Sequence, residues 1–119
     1  MDAAAYTVVG RGLDRGGSNL VAMLPRFQDA NNYFEIRYLV STTVLQMYQF
    51  TAGTPTLRAS QSLADPGVHD LTVINASGEI TGTIGVTSVN YSSTAFNGAT
   101  KLGLYTNGTG IYDEIERTA

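Results

Sequence analysis

Apolar and polar residues alternate with a period of two along Tyr33–Val40 (YFEIRYLV). Phe34, Ile36, Tyr38 and Val40 fall on one side, Glu35 and Arg37 on the other. A period of two is the mark of a strand with one face buried. Further short runs rich in Val, Ile, Thr and Tyr predict strands at Tyr6–Gly10, Asn19–Leu24, Val44–Phe50, Leu57–Ser62, His69–Asn75, Glu79–Ile84, Val86–Tyr91, Lys101–Thr106 and Ile111–Arg117. Asn19–Leu24 is apolar on both faces, as a central strand is, and Pro25 ends or bulges it. No window keeps apolar residues at i, i+3, i+4 and i+7 without Gly, Pro or β-branched interruptions, so helices are not expected.

Turn residues separate these runs. Gln28–Asn31, Ser41–Thr43, Thr51–Pro55, the Asp65-Pro66-Gly67 turn and Ala76–Gly78 each close one strand and open the next. Gly82 and Gly85 loosen the register of two strands. Asn107-Gly108 and Thr109-Gly110 mark a tight hairpin, where Gly accepts positive φ. Strands spaced by about 8–12 residues, with turns between them, indicate an antiparallel sandwich or barrel. Residues 1–119 read as one domain, without linker or internal repeat. Its core is expected from Phe34, Ile36, Tyr38, Leu71, Val73, Leu102 and Leu104.

Composition narrows the function classes. The chain is 43% hydrophobic and 14% charged, a folded composition, and its net charge is -3. Its single Lys and its Arg residues do not cluster, so nothing points to nucleic acid or an anionic membrane. There is no cysteine and one histidine, His69, which excludes thiolate metal sites and most compact transition-metal sites. The N-terminal MDAAAYTVVG has no signal-peptide pattern, and no apolar run reaches the roughly 20 residues of a membrane span.

Three segments, in order, resemble the concanavalin A-like, laminin-G-type jelly rolls: FQDANNYFEIRY (Phe27–Tyr38), VHDLTVINASGEI (Val68–Ile80) and LGLYTNGTGIYDEIE (Leu102–Glu116). The resemblance implies an all-β, two-sheet antiparallel jelly-roll β-sandwich. It also implies kinship with glycan-binding modules, adhesion domains, virion appendages and some glycosidases. Val68 stands where the family usually has Trp. Against the resembled family, whose first strand commonly lies beside the last, the chain is expected to be shortened at its N-terminus. The last strand is therefore expected to present an unpaired edge, with Ile111, Tyr112, Glu114 and Glu116 as candidate subunit contacts.

The carboxylates near the C-terminus are the first candidates for chemistry. Glu114 and Glu116 sit two apart on a strand, with Cα atoms roughly 7 Å apart. That spacing suits a glycosidase pair, whose carboxyl groups stand about 5–10 Å apart. The glycosidases resembled here place their acids mid-chain, so these two read as a solvated face. Asp113 falls between Ile111 and Ile115 on the core side, where a carboxylate needs partners. It reads as a structural acceptor of backbone N–H groups or as a calcium ligand. His69 and Asp70 are neighbours on a strand and point to opposite faces, so they cannot form a catalytic dyad. No catalytic residue is assigned and no cofactor is expected beyond that possible calcium ion.

Aromatic rings can carry a sugar, and Tyr33, Tyr48, Tyr91, Tyr105 and Tyr112 form the pool. Tyr91 and Tyr105 are the candidates for glycan contact. The Asn-x-Ser/Thr sequons at Asn75, Asn90 and Asn107 arise easily by chance in this composition.

Two readings of function follow, neither enzymatic. The first is a structural or adhesive unit on a virion or cell-surface assembly, such as a phage capsid or tail decoration protein, partnered by copies of itself or by a larger surface protein. Its motivation is a short chain with its own initial Met, no leader and a strand edge left open. The alternative is a lectin-like, glycan-binding module. A degenerate glycosidase domain is a remote third.

Overall fold

The computed structural model describes residues 6–13, 20–39, 43–64, 69–76, 78–96, 99, 101–107 and 114–118. They form ten strands: β1 (Tyr6–Leu13), β2 (Leu20–Phe27), β3 (Tyr33–Leu39), β4 (Val44–Thr51), β5 (Thr54–Ser62), β6 (His69–Ala76), β7 (Glu79–Ile84), β8 (Thr87–Ser92), β9 (Lys101–Asn107) and β10 (Glu114–Thr118). They pair as two five-stranded sheets, ordered β10-β1-β6-β7-β8 and β5-β4-β3-β2-β9, with every pairing antiparallel. This is the expected all-β, two-sheet jelly-roll sandwich.

Short hairpins set the register. Thr51 pairs with Thr54 across Ala52 and Gly53, whose φ values of 51° and 81° match the right-handed twist of the strands they join. Ile84 pairs with Thr87 across Gly85 and Val86, and here Gly85 takes the positive φ, 60°. The Asp65-Pro66-Gly67 and Asn107–Gly110 turns fall largely or wholly outside the described residues.

The alternation in β3 does what the sequence predicts. Phe34, Ile36 and Tyr38 are fully buried between the sheets with Leu45, Met47, Leu71, Val73, Ile80 and Val8. Tyr38 keeps its buried hydroxyl satisfied by donating to the Leu63 carbonyl at 3.0 Å. Gly82 faces Ile36 across the core, and a Cβ there would stand 2.5 Å from Ile36 Cγ2. Only glycine lets the two sheets approach so closely at that point. Leu102 and Leu104 lie on β9, Leu104 in register with Met23; their side chains are outside the described residues.

Pro25 marks a bulge, as expected. Leu24 pairs with Gly103 and Phe27 with Lys101, so β2 carries one extra residue there. The bulge changes which way the chain faces. Ala22 and Leu24 share the outer side of their sheet, and plain alternation would put Arg26 beside them. The extra residue, with Arg26 at φ 51°, turns this arginine into the sandwich instead, where it is fully buried.

There Arg26 joins three parts of the chain. Its Nε donates to Asn75 Oδ1 at 2.7 Å, Nη1 to the Ser93 and Ala95 carbonyls at 2.7 and 3.0 Å, and Nη2 to the Ala76 carbonyl at 2.8 Å. Its backbone N–H donates to the Tyr6 hydroxyl at 3.3 Å. The network clamps β2 to β6 and to the segment after β8. It also occupies the Asn75 side chain, which is only 3% exposed and so is not a surface sequon. The Asn90 side chain, by contrast, is exposed on β8.

β10 pairs with β1, setting Glu114 opposite Arg11 and Glu116 opposite Val9, and stands at the edge of its sheet. No described strand lies on its other side.

Candidate functional site

The sheet β5-β4-β3-β2-β9 turns one face to the core and the other outward, and the outer face carries both aromatic and polar side chains. In β3 the outer positions are Tyr33, Glu35 and Arg37, and in β4 they are Gln46, Tyr48 and Phe50. The register sets Tyr33 opposite Phe50, Glu35 opposite Tyr48 and Arg37 opposite Gln46. On β5, Pro55 follows Phe50 and Leu57 follows Tyr48, while Ser60 pairs with Gln46.

One end of this face is aromatic. Phe27 stacks on Tyr33 with ring centroids 5.4 Å apart, and Tyr33 on Phe50 at 4.6 Å, with interplanar angles of 22° and 21°. Two turns brace it. Asp29 accepts from the Asn31 backbone at 2.8 Å and from Asn32 Nδ2 at 2.9 Å, bonds that hold its carboxyl below the usual range. Asn32 Oδ1 then accepts from Ala52 N at 3.0 Å, and Gly53 N donates to the Asn31 carbonyl at 2.9 Å. The FQDANNYF segment thus serves as a scaffold for the aromatic row.

The middle is polar. Arg37 Nη1 donates to Glu35 Oε2 at 3.1 Å, and the guanidinium lies over the Tyr48 ring, with Cζ 4.1 Å from its centroid. Burial raises the Glu35 carboxyl above its ordinary value, while Arg37 pulls it the other way. Arg37 Nε and Gln46 Oε1 are buried and meet no hydrogen-bond partner among the described residues. Most buried polar atoms in folded proteins are paired, so an orphaned donor and an orphaned acceptor in one cross-strand pair mark this spot.

The residues singled out from sequence distribute differently. Tyr105 occupies the β9 position opposite Ala22, and Ala22 stands opposite Arg37, so Tyr105 belongs to the same row as Arg37 and Gln46; its side chain is outside the described residues. Tyr91 is half-buried on β8 with its ring 6.3 Å from that of Phe34. That places it between the sheets, on the opposite side of β3 from Arg37. Arg58 covers it, Cζ 5.0 Å from the ring centroid, while donating from Nε to Gln49 Oε1 at 3.1 Å. Ile111, Tyr112 and Asp113 lie outside the described residues, so the calcium reading of Asp113 has no geometry to test it. Asp70 is exposed and Leu71 buried, as strand alternation requires, and the His69 side chain is not described. Among the described residues no three His, Cys, Asp or Glu side chains come together as a metal site, and no helix is long and apolar enough to cross a membrane.

Sequence reasoning placed Glu35 and Arg37 on one face but did not treat them as a site. The available signal was an oppositely charged i, i+2 pair on the best-patterned strand of a charge-poor chain. The hairpin register adds Gln46 and Tyr48.

No family model matches the chain, and no curated protein matches it in sequence. Solved structures do match its fold. CG-16, a homodimeric agglutinin from chicken liver, superposes with a TM-score of 0.73 at 7% identity, covering 99% of this chain and 93% of that one. The carbohydrate-binding module CBM66 from Bacillus subtilis gives 0.62 at 13% identity, covering 97% and 70%. The fold is a lectin-type jelly roll. Sheep galectin-11 superposes equally broadly, with a TM-score of 0.67 at 11% identity over 99% of this chain and 93% of that one. Each of these jelly rolls carries a lectin or carbohydrate-binding name, and at such identities the likeness establishes the fold alone.

Proposed function

We propose that this chain is a glycan-binding module and that the outer face of β3–β5 holds the sugar. What carries the reading is the Arg37–Gln46 pair: a donor and an acceptor without partners among the described residues, beside a cation on an aromatic ring, on the outer face of a sheet. A sugar hydroxyl both accepts and donates, so one hydroxyl suits both atoms. Both atoms are buried, so Arg37 must shift as the ligand enters. Tyr33, Phe50 and Tyr48 supply apolar area for the C–H faces of the sugar. The carbohydrate-binding names of the jelly rolls above support the same reading over catalysis. Binding to a broad glycan array, lost in Arg37→Ala and in Tyr48→Ala variants that keep their melting behaviour, is the expected result. Tyr105→Ala, in the same row, is expected to weaken binding, whereas Tyr91→Ala reports whether the opposite side of β3 takes part. Failure of the wild-type chain to bind any glycan would remove the reading.

A second reading keeps the chain as a unit of a virion or cell-surface assembly, joined through Ile111–Arg117. Its support is that, among the described residues, β10 is paired with a strand on one side only. Sedimentation at micromolar concentration tests it, and a strict monomer that joins no particle or partner would sink it.

A further inference from the structure

Glu35 and Arg37 are the charged side chains among the described residues on the outer face of β2–β5, and they face each other. The Glu35 side chain is 8% exposed and that of Arg37 is 22% exposed. A carboxylate so enclosed stays ionised only with a cation in contact, and Arg37 is that cation. The guanidinium is in turn held in place, with Nη1 on Glu35 and Cζ over the Tyr48 ring. From β2 Ala22 pairs with Arg37, and from β4 Gln46 and Tyr48 pair with Arg37 and Glu35. None of these is charged, so no other described group on the face offsets or competes with the pair.

A ligand therefore meets an arginine whose charge is already matched. A neutral hydroxyl loses nothing by this, since it needs only the donors Arg37 has left. A second carboxylate arriving at Arg37 meets Glu35 beside it, and two like charges in one desolvated site repel strongly. We propose that Glu35 makes the site selective for uncharged sugars over acidic ones by keeping Arg37 occupied. The inference rests on the glycan-binding reading and adds the class of sugar to it. Glu35 acts through Arg37 and is a specificity residue, not a ligand contact.

The test is an array of neutral di- to tetrasaccharides, each printed beside its C6-oxidised uronate. Wild-type protein is expected to favour the neutral member of a bound pair at least tenfold at neutral pH. Glu35→Gln frees the guanidinium and is expected to narrow or invert that ratio, while Arg37→Ala weakens both members. Should Glu35→Gln not fold, the wild-type ratio is followed from neutral pH to mildly acidic pH. There Glu35, held above its ordinary pKa by burial, takes up a proton before the exposed uronates do, and the ratio is expected to shrink. Wild-type protein that binds uronates as well as neutral sugars would overturn the proposal while leaving glycan binding intact. So would a ratio unchanged in Glu35→Gln or, where that variant cannot be made, unchanged with pH. Absence of binding to every sugar would instead overturn the glycan-binding reading and this inference with it.

Discussion

Replacing Arg26 by Met tests how much of the sandwich depends on one buried cation. Met fills much of the same volume but donates nothing. Four acceptors lose their donor: Asn75 Oδ1 and the carbonyls of Ala76, Ser93 and Ala95. Each hydrogen bond to a charged group contributes about 1.5–3 kcal/mol, but the sum is not additive. Removing the arginine also removes its own desolvation cost, and water can reach acceptors that are only partly buried. The net loss expected is about 3–5 kcal/mol, the range found when a buried charge network is broken. Against a typical total of about 5–15 kcal/mol this is a large share. In urea, with a slope near 2 kcal/mol/M, the unfolding midpoint falls by about 1.5–2.5 M. A midpoint shift below about 0.5 M with an unchanged slope would refute the argument, showing that the network merely offsets the cost of burying Arg26.

Three further outcomes follow from the packing and charges. Gly82→Ala puts a Cβ 2.5 Å from Ile36 Cγ2 and is expected to cost about 1–3 kcal/mol by thermal or urea unfolding, whereas Gly78→Ala meets no such atom and suffers only from its φ of 87°. The carboxyl of Glu35 is raised in the folded state, so the folded protein binds its proton more tightly than the unfolded chain does. Its contribution therefore favours stability below the unfolded pKa and declines as pH rises through the folded value; Glu35→Gln flattens that part of a stability–pH curve. Tyr33→Ala and Phe50→Ala, combined in a double-mutant cycle, are expected to show a coupling of about 0.5–1.5 kcal/mol for the stacked pair, and additivity within error would contradict it.

Most of the fold was legible because one-sided burial writes a period of two into a strand. Phe34, Ile36 and Tyr38 announced their face directly, and Pro25 announced a break in β2. What the break does to the next residue was not legible. Parity counted through Pro25 sends Arg26 outward with Ala22 and Leu24, and only the extra residue of the bulge reverses it. A charged residue turned into a core by a bulge carries no compositional signature, since its partners are mostly main-chain carbonyls. The site was half legible for a related reason. Glu35 and Arg37 could be placed on one face from β3 alone, but Gln46 and Tyr48 join them only through the register of the β3–β4 hairpin. The acids near the C-terminus drew attention because they are adjacent in sequence, and adjacency along a strand sends side chains to opposite faces.

Binding of a neutral sugar at Arg37, on the outer face of β3–β5, is tested most directly by amide chemical shifts of the labelled protein, followed while titrating the neutral oligosaccharide that scores highest on the array. Saturable shifts are expected in Tyr33–Leu39, Val44–Phe50 and Leu57–Ser60, with Leu71–Asn75 and Glu79–Ile84 on the other sheet unmoved, and their loss in Arg37→Ala. Shifts centred on the other sheet or on Glu114–Thr118, or a titration unchanged in Arg37→Ala, would contradict it.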